Sequence, residues 1–140
     1  MLQSSSDILD RVGKFLAHIP GVRFAYVFGS YARNDMGPLS DIDIAVFLDR
    51  GLSVFDCRLS LMERLARELG EECIDLVTLN DAPVLLRYEV IREGRVIKED
   101  RESRVPFEAQ TLSEYLDTEH LRRTQKVYLK KQLMERGTGG

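Results

Sequence analysis

Two short clusters carry most of the chemistry available to this chain: Gly29-Ser30, and ten residues later Asp41-Ile42-Asp43-Ile44. Side chains alternate along a strand, so Asp41 and Asp43 share one face while Ile42 and Ile44 share the other. Two carboxylates side by side repel, which raises the pKa of one of them until a cation sits between them. Paired hard oxygen donors suit Mg²⁺, which takes one or two carboxylates and fills its shell with water and substrate phosphates. A further acid, Asp75, interrupts the apolar run Cys73 to Leu79. If that run lies beside 41–48 in a sheet, Asp75 completes a three-carboxylate site for two metal ions, the arrangement used for in-line attack at a phosphoryl group. Spacing alone does not show that adjacency.

Gly29 lets backbone approach closely, and a turn of helix over "SYARND" would offer free N–H groups to a phosphate. The Ser30 hydroxyl adds a direct donor. A phosphate cradle beside a carboxylate pair points to a nucleoside triphosphate held with Mg²⁺. Arg33 either contacts the triphosphate or is a solvated helix residue, and the sequence leaves both readings open.

The elements that must position these groups follow from periodicity. Ile8, Leu9, Val12, Phe15, Leu16 and Ile19 recur at helical spacing up to Pro20-Gly21. "VRFAYVF" (22–28), "DIDIAVFL" (41–48) and "CIDLVTL" (73–79) read as buried strands, and "RVIKE" as a short charged edge strand. Between them, Phe55, Leu59, Met62, Leu65, Ala66 and Leu69 form a stripe ending at Gly70. Asp81 is placed to cap a helix from Ala82-Pro83, with Val84, Leu85, Tyr88 and Ile91 on one face. "REGRVIKEDRESR" mixes charges as a solvated face does. From Pro106 to Arg136 the composition is helical, but the apolar positions drift after Leu116, as two helices would produce. The final "GTGG" reads as disordered.

These elements predict an α/β (α+β) single domain, a small mixed β-sheet flanked by helices. Residues 1–105 form its core, 106–136 a C-terminal helical extension and 137–140 a tail. At 140 residues one hydrophobic core is expected. The net charge of −3 and pI near 5.5 supply no general attraction to nucleic acid or an anionic membrane, so neither is an expected direct partner. Nothing resembles a signal peptide or a membrane span, and a cytoplasmic protein is expected. Cys57 and Cys73, without CxxC spacing or a neighbouring histidine, read as buried thiols.

Phe28-Gly29-Ser30, ten residues, then Asp41-Ile42-Asp43-Ile44 resembles the signature of the polymerase-β-like nucleotidyltransferases, and Asp75 matches their third carboxylate. The small size, "SDIDIAVF" and "FEAQTLSEYLD" resemble the minimal nucleotidyltransferases (MNT proteins), often encoded beside a HEPN-domain partner. The resemblance covers about Ile8 to about Asp117. It implies a nucleotidyltransferase fold in which Asp41, Asp43 and Asp75 are catalytic and metal-binding, with Gly29, Ser30 and Arg33 at the nucleotide. It implies ATP as substrate, two Mg²⁺ ions as cofactor, and transfer of AMP to a tyrosine of a HEPN ribonuclease toxin, which is thereby silenced. The assemblies it leaves open are a homodimer and a hetero-oligomer with the toxin. Alternatives are another acceptor, such as an antibiotic hydroxyl or an RNA end, an antitoxin that neutralises by binding alone, and a nucleotide-sensing subunit.

Overall fold

The computed structural model describes residues 5–37, 41–70 and 74–138. The elements run α1 (Ser5–Ala17), β1 (Val22–Phe28), α2 (Ser30–Arg33), β2 (Ile42–Leu48), α3 (Val54–Leu69), β3 (Ile74–Thr78), α4 (Val84–Glu93), β4 (Arg95–Lys98) and α5 (Arg101–Thr138). Cys73 and the last two residues of the "GTGG" segment lie outside the described residues; Gly137 and Thr138 close α5. Among the described residues no helix is long and apolar enough to cross a membrane.

The four strands form the small mixed sheet that the sequence predicts, in the order β3-β2-β1-β4, with the charged strand β4 at an edge. β1 pairs antiparallel with β2 and β4, whereas β2 and β3 are parallel. A parallel pair needs a long crossover, and α3 supplies it. Alternation sends Ile42, Ile44, Val46 and Leu48 to one face, where they meet Val12 and Leu16 of α1 and Leu61, Leu65 and Leu69 of α3. The other face carries Phe24, Tyr26 and Ala45, covered by Val90 of α4 and Phe107 of α5. Burying each such large side chain contributes about 1.5–3 kcal/mol. Phe24 stacks on Phe47 at 4.9 Å between ring centres, and Phe107 tilts against both.

The parallel register is reinforced beyond β3. The Asn80 side chain accepts from the Leu48 N–H at 2.8 Å and donates to the Leu48 carbonyl at 2.9 Å, continuing the ladder where the strand has ended. A one-residue slip would send every β3 side chain to the opposite face, so this fixing decides where Asp75 points.

Five expectations are corrected. The inward stripe of α3 is Leu61, Leu65 and Leu69, whereas Phe55, Leu59 and Met62 are exposed, because α3 carries two apolar stripes and only one can face the sheet. On α4 the inward residues are Leu86 and Val90, and Leu85 is half exposed; Arg87 and Tyr88 turn instead toward α5. Pro83 is the N-cap of α4, while Asp81 accepts the Thr78 hydroxyl at 2.7 Å.

Last, the tail is one helix rather than two, and it begins at Arg101. Pro106 lies inside its second turn, where the missing N–H removes only one bond near the start. The run 92–104 is likewise not merely a solvated face. Lys98 donates to the carbonyls of Leu16 and Ile19 at 2.9 and 2.7 Å, satisfying the end of α1. Arg104 bridges Glu99 and Glu108, and Glu108 accepts the buried Tyr26 hydroxyl at 2.5 Å. Burial, and then Glu108, push the Tyr26 pKa far up, so it remains a neutral donor tying α5 to β1.

Candidate functional site

β1 ends at Phe28, which pairs with Asp43, and Asp43 in turn pairs across the parallel ladder with Asp75. Paired residues of adjacent strands share a face, so Asp43 and Asp75 stand side by side on strands about 4.8 Å apart. Asp41, two residues before Asp43, precedes the first strand residue, Ile42, so β2 begins one residue later than the sequence suggests. Asp41 and Asp75 are exposed and Asp43 is half-buried between them. All three occupy one end of the sheet.

The proximity is visible in the electrostatics. Burial raises the Asp43 pKa above the ordinary aspartate value, the charges of Asp75 and then Asp41 raise it further, and Arg33 opposes them. Asp43 with two further carboxylates near it is a donor set suited to a hard divalent cation. Among the described residues, however, no group of three His, Cys, Asp or Glu side chains stands arranged to hold a metal ion. Asp41 and Asp75 are the solvent-exposed members of the donor set.

Gly29 follows β1 with φ 69° and ψ −149°, a conformation that is essentially glycine's alone. A Cβ built at Gly29 would lie 2.2 Å from Asp43 Oδ2, so the absence of a side chain is what lets the loop lie against the carboxylate. Gly29→Ala is expected to displace Asp43 and cut nucleotidyl transfer by at least about 100-fold. Steady-state assays beside a thermal melt test this; retained activity would show that the close approach is dispensable.

α2 starts at Ser30, and its first turn is closed by the N–H groups of Ala32 and Arg33 donating to the Gly29 carbonyl, both at 3.1 Å. Asn34 ends it in the left-handed conformation, and buried Tyr31 anchors it in the core. Arg33 thus leaves the helix beside the acids, its guanidinium paired with Asp35 at 3.2 Å and with Glu93 at 3.3 Å.

The structure therefore brings together every residue predicted from sequence: Gly29, Ser30, Arg33, Asp41, Asp43 and Asp75. Comparison with known proteins bears on what the cluster is. The model of the family described as polymerase beta, nucleotidyltransferase matches residues 10–103, which include all six. The chain belongs to that family. As a nucleotidyltransferase it is similar to the protein adenylyltransferase MntA of Shewanella oneidensis, 33% identical over 98 residues, 70% of this chain and 69% of the relative. Its fold superposes on a chain of a toxin–antitoxin crystal structure with AMP-PNP, at a TM-score of 0.70 and 28% identity, over 89% of this chain and 98% of the other. A second neighbour comes from the complex of tri-AMPylated S. oneidensis HEPN toxin with MNT antitoxin, at a TM-score of 0.67 and 26% identity, over 93% and 99% of the two chains.

In this nucleotidyltransferase two residues at the site escaped sequence reasoning, Asp35 and Glu93. Asp35 follows Arg33 by two positions, and the spacing was open to inspection. Glu93 lies 60 residues from Arg33 and in sequence looks like one more charge at a helix end. No local signal distinguishes it.

Proposed function

We propose that this nucleotidyltransferase is an MNT-type antitoxin that moves AMP from ATP to a tyrosine hydroxyl of a cognate HEPN toxin in the cytoplasm. The observation carrying the chemistry is the ladder pairing of Asp43 with Asp75, with Asp41 just before the strand and Gly29 pressed against Asp43. Support for a protein acceptor comes from the likeness to MntA and to the AMPylated complex.

Asp41, Asp43 and Asp75 are the residues that would hold Mg²⁺, as two ions. When bound, Mg²⁺ neutralises the phosphates and lowers the pKa of an oxygen on it. Gly29 and Ser30 receive the triphosphate, and Arg33 meets its leaving end. The tyrosine oxygen attacks the α-phosphorus, the new O–P bond forms as the bond to the bridging oxygen breaks, and pyrophosphate departs. A phenol with pKa near 10 is a poor nucleophile at neutral pH, so metal coordination or a nearby carboxylate base must activate it. Asp75, exposed beside Asp43, would help position the second ion and activate the acceptor hydroxyl.

The acceptor needs a docking surface, and residues 106–136 provide one. Leu116, Leu121, Val127, Tyr128, Leu129 and Leu133 of α5 are all more than half exposed. An exposed apolar set of this size on a soluble helix marks a partner site. Intact mass of the co-purified toxin after incubation with ATP and Mg²⁺ tests the reading. Gain of one or more adenylyl groups, abolished by a chelator, is expected. An unchanged mass while the complex forms refutes it in favour of neutralisation by binding alone.

A further inference from the structure

Glu93 closes α4, and its carboxylate is used at both oxygens. Oε2 accepts from Arg33 Nη1 at 3.3 Å, and Oε1 from Arg92 Nη2 at 3.1 Å. The backbone just beyond it is held firmly. The Gly94 N–H donates to the Val90 carbonyl at 2.7 Å, and a Cβ at Gly94 would come within 3.3 Å of the Tyr26 side chain. Glu93 therefore stands on a helix end fastened to β1, while Arg33 stands on a four-residue helix beside the acids.

Arg33 has another carboxylate closer in sequence. Its Nε donates to Asp35 at 3.2 Å, so Asp35 and Glu93 each hold one edge of the guanidinium. Without Glu93 the side chain is free to turn toward Asp35 alone. With both, the fork is fixed one helical turn beyond Gly29, which lies against Asp43. A guanidinium carries five N–H donors, and the two ion pairs use Nε and Nη1, so donors remain for a phosphate. Fixing a flexible arginine before the ligand arrives removes an ordering cost from binding.

We propose that Glu93 is a positioning residue for the nucleotide, which holds the Arg33 guanidinium at the carboxylate cluster so that it receives the leaving phosphates of the triphosphate. Arg92, on the second oxygen, keeps the Glu93 carboxylate turned toward Arg33. This rests on the nucleotidyl-transfer reading above.

Calorimetric titration of the full chain with AMP-PNP and Mg²⁺ tests it through a double-mutant cycle. Glu93→Gln, which is isosteric, is expected to weaken binding about tenfold, and Arg33→Ala at least as much. The double variant binds no more weakly than Arg33→Ala alone, because Glu93 acts through Arg33. Glu93→Asp recovers part of the loss. Should Glu93→Gln unfold, Arg33→Lys keeps the charge and loses the fork, and with Glu93→Asp it carries the same cycle. Wild-type affinity in Glu93→Gln, or losses that multiply in the double variant, overturn the proposal while leaving nucleotidyl transfer standing. No measurable affinity in the wild type overturns both.

Discussion

Asp43→Asn will abolish nucleotidyl transfer and raise the melting temperature in the same protein. Loss of a central oxygen donor is expected to cost at least about 10³-fold in rate. The gain in stability has a separate origin. Burial, then Asp75, then Asp41 raise the Asp43 pKa above its ordinary value of 3.8. The folded chain therefore holds that proton more tightly than the unfolded chain. Its favourable contribution is complete below the unfolded value and is lost as pH rises through the raised folded value. Near pH 7 the ionised carboxylate is a net cost, which asparagine removes.

Asp43 is partly exposed, so solvent screening limits the gain to on the order of 0.5 kcal/mol, or about 2 °C. The difference between variant and wild type should close as pH falls toward 4. Mg²⁺ should stabilise the wild type and not the variant, since only a ligand bound to the native state shifts unfolding. Melting curves from pH 4 to pH 8, with and without Mg²⁺, decide the matter. A variant that melts lower at neutral pH would show that Asp43 is a structural acid.

Truncation after Arg123 is expected to reduce toxin binding at least about 100-fold and leave AMP-PNP affinity within about twofold. The cut must fall there because the first half of α5 belongs to the core. Phe107 packs on Phe24 and Phe47, and Thr111 is fully buried. Arg87 of α4 donates to Glu114 at 2.6 Å, holding that carboxyl below its usual range, and Tyr88 stacks on Tyr115 at 3.6 Å. Arg122 lies over the Tyr115 ring at 4.7 Å. Removing everything from Pro106 would unfold the domain and test nothing. Beyond Arg123, Val127, Tyr128, Leu129 and Leu133 are exposed and their removal spares the core. Pull-down and titration on one preparation separate the two effects. Unchanged toxin binding would move the interface elsewhere, and the exposed stripe Phe55, Leu59 and Met62 of α3 is the surface to try next.

What sequence reasoning missed has a common cause. In α3 two stripes of similar character compete, and the choice between Leu61-Leu65-Leu69 and Phe55-Leu59-Met62 depends on how the crossover drapes over β2 and β3. In α5 the apolar drift after Leu116 looked like a break, but half the helix has no core to face and its pattern is free of that constraint. Lys98 and Arg104 looked solvated because their partners, the end of α1 and the Tyr26–Glu108 pair, are distant in sequence.

The sequence by itself determined the donors and their parity. Asp43 had to face away from Ile42 and Ile44 because alternation is built into the extended backbone, and Gly29 had to be a turn residue because of its place between strand and helix. Only the tertiary structure decided that Asp75 stands opposite Asp43, that Gly29 touches Asp43, and that Glu93 holds Arg33. Strand parity is a local property of consecutive peptide units. Strand adjacency is fixed by burying both faces of the sheet at once, which no local stretch of residues encodes.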